Sequence, residues 1–402
     1  MFHWTDEQNY ALDAIDKWSC SGEPFFSLTG PAGTGKSTLL REVAARFTGA
    51  HLAAMTGKAA LRLSQCTGQT ATTLHSVLYY PPKPGESVKF TRTREPESSI
   101  YTVDESSMLT PVIFNDMKKW ARQGVKFLLV GDSFQLPPVI TAEEAREHGQ
   151  DYSVFCFVKG VELKTVLRNA GGVLRAATKV RETGQICRES DEGYEYLECN
   201  SSMEKAVDDY CNDMHDHLLI TWRNAVRMAA NRMVRQRLGH EGELPDEGEP
   251  VLIRRNGGGY LNGEIVICGG FEVGPKLGSM NTLWMTVKGN YNKLLVSYEG
   301  KEEFFDGQTP WIENWKKYHI DLNKACLNEP VPISWGYVLT GHQCQGSQAR
   351  RTTVFLQNGD ERSSNFLRMT TLPSGEKAST MSRWCYTAQT RSVERTTMIV
   401  GR

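Results

Sequence analysis

Short apolar runs alternate with longer amphipathic stretches through the first third of the chain. Phe25–Thr29 (FFSLT), 51–56 (HLAAMT), Ile100–Asp104 (IYTVD) and 127–131 (FLLVG) each end on a polar or glycine-rich turn. Buried strands joined by helices in this way predict βαβ units and a parallel sheet, so an α/β fold. Ligands bind such sheets beyond the C-terminal strand ends, which is where the polar residues fall. A proline-rich break at 81–87 (PPKPGES) interrupts the pattern and predicts a small β-hairpin excursion over 81–98. Alternation begins again near His217 (HLLITW) and returns at Trp335 (WGYVLTGH), Thr352 (TTVFL) and Thr396 (TTMIVG). Between these lie PVLIRR, EIVICGGF, TLWMTV and KLLVSYE, short strand-like pieces separated by turn residues. They predict a β-barrel insertion spanning about 240–330 within a second α/β domain. The expected division is 1–165 and 166–402, with no repeat of fixed period.

Composition changes this picture little. A chain of 402 residues, 40% hydrophobic and 23% charged, suits a globular protein of two to three domains. The formal net charge of -1 gives no global positive field, but a nucleic-acid groove needs only local positive charge. Residues 189–216 are rich in acids, and the chain beyond Arg350 is rich in arginine. Ten cysteines without a C-x-x-C pair point to reduced thiols rather than a zinc site or a disulfide framework. The first residues lack a signal-peptide pattern, and no apolar run is long enough to span a bilayer. A cytoplasmic protein (host cytoplasm if phage-encoded) is expected, monomeric and without a membrane partner.

The chemistry concentrates in three places. Gly30–Ser37 reads GPAGTGKS, a full G-x-x-x-x-G-K-[ST] pattern between an apolar strand and a helical stretch. Gly30, Pro31, Ala32, Gly33, Thr34 and Gly35 would curl backbone N–H groups around phosphates. Lys36 would reach the β/γ-phosphates, and Ser37 would ligate Mg²⁺. Asp104 and Glu105 close a strand together, an arrangement that costs charge repulsion unless used. After a P-loop their roles divide: Asp104 holds Mg²⁺ through water, and Glu105 activates the attacking water, which a hydrolase requires. Gln135, in GDSFQLPPV, offers a neutral amide suited to sensing a γ-phosphate, and the prolines after it stiffen the chain.

Together these residues resemble the superfamily 1B helicases, the RecD/Dda-like branch, along the chain to about residue 400. TDEQ, ending in Gln8, looks like the adenine-reading Q motif, and GPAGTGKST, which includes Thr38, is similar to motif I. AAMTGKAALRL and TATTLHSVL resemble motif Ia and a Thr-Leu-His signature; VDESSML and GDSFQLPPV resemble motifs II and III. VELKTVLRN, YVLTGHQCQGS and YTAQTRSVER resemble motifs IV, V and VI. The resemblance implies two tandem RecA-like P-loop domains, with a pin-like hairpin in the first and an SH3-like β-barrel insertion in the second. It also implies that Arg168 and Arg391 neutralise charge on the transferring phosphoryl. Relatives usually carry a lysine in motif V where this chain has Gln343, and an acid that binds ribose where it has Gln348.

The same resemblance nominates Thr56, Lys58, His75, Thr340 and His342 for the nucleic-acid backbone. His75 taken alone is more often a structural histidine, and its place in the Thr-Leu-His signature reverses that reading. Phe90, flanked by Lys89, Arg92 and Arg94, would stack on a separating base pair at the tip of the excursion, or else belongs to a solvated loop. Trp311 and Trp315 fill the insertion's core or line a DNA path. The implied activity is an ATP- and Mg²⁺-dependent DNA helicase moving 5′→3′ on single-stranded DNA and acting at single-strand/duplex junctions, with replication or recombination proteins as partners. The alternatives are an RNA helicase or a non-unwinding translocase of the same superfamily. A small-molecule P-loop kinase would account for motif I but not for GDSFQLPPV, and a non-catalytic binding module would not need Glu105.

Overall fold

The structure is a computed structural model that describes residues 3–80, 93–167, 171–242, 244–254, 260, 262–273, 283–289, 293–298 and 331–402. The chain sorts into two compact units. One comprises 1–79, 93–226 and 339–402; the other comprises 80–92 and 227–338.

The larger unit opens with helix Asp6–Ser19, capped by the Thr5 hydroxyl and by a reciprocal bond in which the Thr5 N–H donates to the Gln8 side-chain oxygen. Six strands follow: β1 (Phe25–Thr29), β2 (His51–Ala54), β3 (Ala71–Thr73), β4 (Ile100–Asp104), β5 (Lys126–Gly131) and β6 (Gly160–Glu162). They form one sheet in the order β3-β2-β4-β5-β1-β6, parallel throughout. In β5 every residue after Lys126 is buried, as expected of a central strand covered on both faces. Helices Asp6–Ser19 and Lys36–Arg46 seal one side by packing Leu12, Ile15, Leu39 and Val43 against Leu28, Leu128 and Val130.

The same unit holds a second parallel sheet, begun by β7 (Tyr194–Cys199) and β8 (His217–Thr221). The chain then leaves for five strands of the smaller unit. These are β9 (Pro250–Ile253), β10 (Ile265–Val273), β11 (Leu283–Val287), β12 (Lys293–Tyr298) and β13 (Val331–Trp335). It returns through β14 (Val338–Thr340) and β15 (Ala349–Leu356), makes a two-stranded ribbon from β16 (Met369–Thr371) and β17 (Lys377–Ser379), and ends on β18 (Ser392–Gly401). The second sheet runs β14-β8-β15-β18-β7. Helix Thr380–Gln389, between the ribbon and β18, is buried from Ser382 onward.

The smaller unit is a closed barrel ordered β10-β11-β12-β13-β9. Val251, Ile253, Cys268, Met285, Leu294, Val296 and Ile333 fill it. Gly270, at φ 111°, lies in the register shift between Cys268 and Phe271, where β10 bends.

The structure adds six strands to the sequence pattern: the short β3, β6, β16 and β17, and the longer β7 and β13. The second sheet starts at β7, inside the acidic stretch, not at His217. As an edge strand, β7 buries only Tyr194 fully and carries Glu195 and Glu198, so it reads as charge rather than as strand. Closure of the barrel requires β13, which pairs parallel to β12 and antiparallel to β9 and lies beyond residue 330. Phe90 and residues 81–92 of the hairpin excursion, together with Trp311 and Trp315, lie outside the described residues. Among the described residues, Thr93 forms an antiparallel bridge to Tyr79, and no helix is long and apolar enough to cross a membrane.

Candidate active site

The P-loop follows β1 and turns into helix Lys36–Arg46 through Gly35, which sits at φ 88°. A Cβ at Gly35 would lie 2.5 Å from the Gln8 amide nitrogen, so position 35 requires glycine for both conformation and space. Gln8 is buried, and its amide nitrogen donates to the Thr34 carbonyl at 3.2 Å. The Gln8 side chain therefore braces the P-loop through Thr34 while closing the cap of its own helix. From the far side of the loop, the Leu167 N–H donates to the Gly33 carbonyl at 2.9 Å. Arg168, the next residue, lies outside the described residues.

Lys36 folds over the loop, its Nζ donating to the carbonyls of Gly30 (2.6 Å) and Pro31 (2.8 Å). Burial pulls its pKa down, opposed by Asp132, Glu105 and Asp104, so the ammonium faces three carboxylates. Asp104 ends β4 and accepts the Glu105 N–H at 2.9 Å. Burial first, and then the charge of Glu105, hold the Asp104 carboxyl above the usual carboxylate range. Glu105 itself is buried and left-handed, at φ 53° and ψ 38°. A non-glycine residue there costs about 1–3 kcal/mol, strain found most often at functional positions. The partly buried Asp104 and the buried Glu105, with the Ser37 hydroxyl on the helix after the P-loop, are oxygen donors that fit Mg²⁺.

Gln135 lies in the loop after β5. It is 5% exposed, and its side-chain carbonyl oxygen has no hydrogen-bond partner. An amide buried in this way costs free energy unless something occupies its acceptor. Arg391, two residues beyond helix Thr380–Gln389, reaches Glu105 from the second sheet. Its Nη1 lies 3.8 Å from a Glu105 carboxylate oxygen, while Nε is held by the Thr387 carbonyl at 3.0 Å. Lys36, Asp104, Glu105 and Arg391 thus converge, and the backbone of Gln135 is tied to helix Thr380–Gln389 through Arg383. Thr38 continues the helix after Ser37. Gln348 is half-buried just before β15.

A second set of contacts crosses between the sheets. The Thr56 hydroxyl caps helix Gly57–Thr67, and Lys58 Nζ donates to the Ser347 hydroxyl at 3.2 Å. Gly346 fits against Thr56 at φ 76°. Thr340, at the end of β14, donates its N–H to the Gln343 side chain, so the residue standing at the relatives' lysine position closes a turn. The His342 imidazole bonds to the Pro137 backbone, and burial drives its pKa down to about 4. His75 sits in the short helix Leu74–Leu78 beside Tyr79, where burial lowers its pKa.

Several side chains here have no role in the sequence reading. Asp132 is fully buried and accepts bonds from Arg181 (2.9 Å), the Tyr386 hydroxyl (2.5 Å) and the Phe134 N–H (3.0 Å). Arg383 and Thr387 bond to the loop that carries Gln135. Asp132, Tyr386 and Thr387 stand inside the quoted motifs. Arg383 shows only as the residue three positions before Tyr386, and nothing local marks Arg181.

Two parallel α/β sheets with a P-loop on the first and an arginine arriving from the second define the tandem RecA-like class of P-loop proteins. Residues 14–141 match the AAA domain family AAA_19. The chain is 37% identical over 139 residues to the ATP-dependent RecD2 DNA helicase of Deinococcus radiodurans, covering 34% of this chain and 18% of that protein. It is 35% identical over 375 residues to the RecBCD enzyme subunit RecD of Mycolicibacterium smegmatis, covering 83% of this chain and 64% of that one. The chain therefore spans less than two thirds of either relative. The Pif1 helicase from Bacteroides, solved with ADP-AlF3 and ssDNA, shares the fold at a TM-score of 0.55 and 16% identity, over 99% of this chain and 92% of that one. The chain is thus similar to helicases of the RecD, Dda and Pif1 types, and its first sheet carries the AAA_19 match.

Proposed function

We propose that the protein is an ATP-dependent DNA helicase that moves along single-stranded DNA, 5′→3′, and acts at single-strand/duplex junctions. The observation that carries this reading is the approach of Arg391, from the second sheet, to within 3.8 Å of Glu105 on the first. A cation delivered by a second domain makes hydrolysis depend on how the two domains are arranged, which is what a motor needs. Sequence relatives described as DNA helicases, and a similar fold solved with ssDNA, support DNA over RNA.

In this reading the P-loop residues Gly30 to Thr38 hold the phosphates, and Gln8 keeps Thr34 in place. Lys36 leaves its carbonyl partners for the β/γ-phosphates. Ser37 and Asp104 hold Mg²⁺, which supplies charge neutralisation on the phosphate oxygens when bound. Glu105 takes the proton of the attacking water, Gln135 donates its side-chain N–H to the γ-phosphate while its unpartnered oxygen accepts from that water, and Arg391 stabilises the charge that develops. Arg168 is assigned the same role on sequence grounds, and Gln348 is assigned to the ribose edge. Thr56 and Lys58 on one sheet, and Thr340 and His342 on the other, grip successive phosphates of the strand. His75 extends that track, and Phe90 serves as the stacking residue of a strand-separating pin. The division at about residue 165, the SH3-like character of the barrel, the monomeric state and the cytoplasmic location belong to the same proposal. So do replication or recombination partners.

Glu105→Gln tests the hydrolytic assignment. The variant should bind nucleotide with near-normal affinity while DNA-stimulated turnover falls by about 10²-fold or more. Turnover within a few-fold of wild type would remove Glu105 from the mechanism.

A further inference from the structure

Helix Thr380–Gln389 does more than carry Arg391 toward Glu105. Three of its side chains, at positions i, i+3 and i+4, share one face and all reach into the first sheet's loops. Arg383 is 3% exposed and donates to the backbone carbonyls of Ser133 (3.2 Å), Phe134 (3.3 Å) and Gln135 (2.5 and 3.0 Å). The Thr387 hydroxyl accepts the Leu136 N–H at 3.1 Å and donates to the Arg383 carbonyl at 2.8 Å. Tyr386 accepts the Ala32 N–H of the P-loop at 2.8 Å and donates its proton to Asp132 at 2.5 Å.

Every backbone unit from Ser133 to Leu136 is therefore held by the second sheet's helix, and so is the P-loop at Ala32. The remaining oxygen of Asp132 is filled by Arg181, whose guanidinium also lies 5.1 Å from the Phe134 ring and 5.8 Å from that of Tyr386. Gln345 adds a further tie, its amide donating to the Leu136 carbonyl at 3.2 Å. Within this clamp the backbone of Gln135 is bound on its carbonyl side, and only its side-chain oxygen is unpartnered. Any movement of Gln135 must then move Arg383 and its helix, and the reverse. A buried arginine with several carbonyl acceptors is also costly to strip of partners, so the clamp moves as a unit rather than slackening bond by bond.

We propose that Arg383, Tyr386 and Thr387 are positioning residues that couple nucleotide occupancy of the P-loop to the second sheet's hold on single-stranded DNA. The inference rests on the functional reading above. Its distinguishing quantity is a ratio, the ssDNA dissociation constant without and with a non-hydrolysable ATP analogue. A ratio of this kind is unchanged by a smaller active fraction, which is all that a merely structural role would produce. It also measures the coupling between two sites directly, typically 5–150-fold for a linked pair.

The experiment measures binding of a fluorescent oligo-dT to the whole chain, with and without the analogue. The proteins are wild type, Tyr386→Phe, Thr387→Val and the double variant, with melting temperatures recorded alongside. Both substitutions keep the packing and delete one hydroxyl. The wild-type ratio should differ from one by about fivefold or more. The double variant should still bind each ligand, and its ratio should collapse to less than about twofold. Each single variant should fall between, so the result stands on these if the double variant does not fold. A double variant that keeps the wild-type ratio overturns the proposal, as does a wild-type ratio of one. Failure of the functional reading looks different: the wild type would then show no ssDNA-stimulated ATP turnover at all.

Discussion

Glu105 and His342 show how far single residues here depart from their ordinary states. Glu105 keeps a left-handed backbone that a glycine would adopt more cheaply, because the turn aims its carboxylate past Asp104 toward Arg391. His342 bonds to Pro137 and is held neutral by burial, with its pKa down at about 4 against an ordinary 6.5. The unfolded chain takes up that proton first as pH falls. Stability contributed by the neutral ring is thus whole above about pH 6.5, and is lost on the way down to about pH 4. Going from pH 7 to pH 5 should cost wild type on the order of 2 kcal/mol more than His342→Gln. Urea unfolding of both proteins at the two pH values measures this. Equal losses would show that the ring is not kept neutral by the fold.

At the scale of elements, two contacts between the sheets rest on small residues. Gly346 sits at φ 76°, and a Cβ there would meet the Thr56 hydroxyl at 2.7 Å and the Ala59 side chain at 3.1 Å. Gly346→Ala should cost about 1–3 kcal/mol through backbone strain and disturbance of the Thr56 cap. It should also weaken ssDNA binding, and a thermal melt and an ssDNA titration report the two effects separately. An unchanged melting temperature would mean that the helix Gly57–Thr67 moves away freely. The P-loop, the four central strands of the first sheet and the acids ending β4 were legible because each announces itself locally, by a continuous apolar run or a fixed spacing. The three-residue strands β3 and β6 carry too few positions for periodicity, and β7 is masked by its glutamates. The clamp around Asp132 joins residues separated by 49 to 254 positions, so no local pattern reveals it. Gln8 shows the reverse case. Its spacing from Thr5 is both a capping box and a Q motif, and the structure uses the amide for the cap and for Thr34.

Over the whole molecule, hydrolysis at the P-loop is proposed to be completed by a cation from the second sheet and harnessed to movement along DNA. The larger unit carries every described residue of the proposed hydrolytic set, and the barrel strands are an excursion from between β8 and β14. ATP turnover and strand separation should therefore fail together when the P-loop is disabled. The most direct measurement follows ATP hydrolysis and unwinding at once, on duplexes bearing only a 5′ or only a 3′ single-stranded tail, with Lys36→Ala as the control. Turnover should rise on addition of either tailed duplex, and the strands should separate only from the 5′ tail. Lys36→Ala should do neither. Turnover indifferent to DNA, or separation that persists in Lys36→Ala, would contradict the central claim, and separation solely from the 3′ tail would overturn the direction assigned.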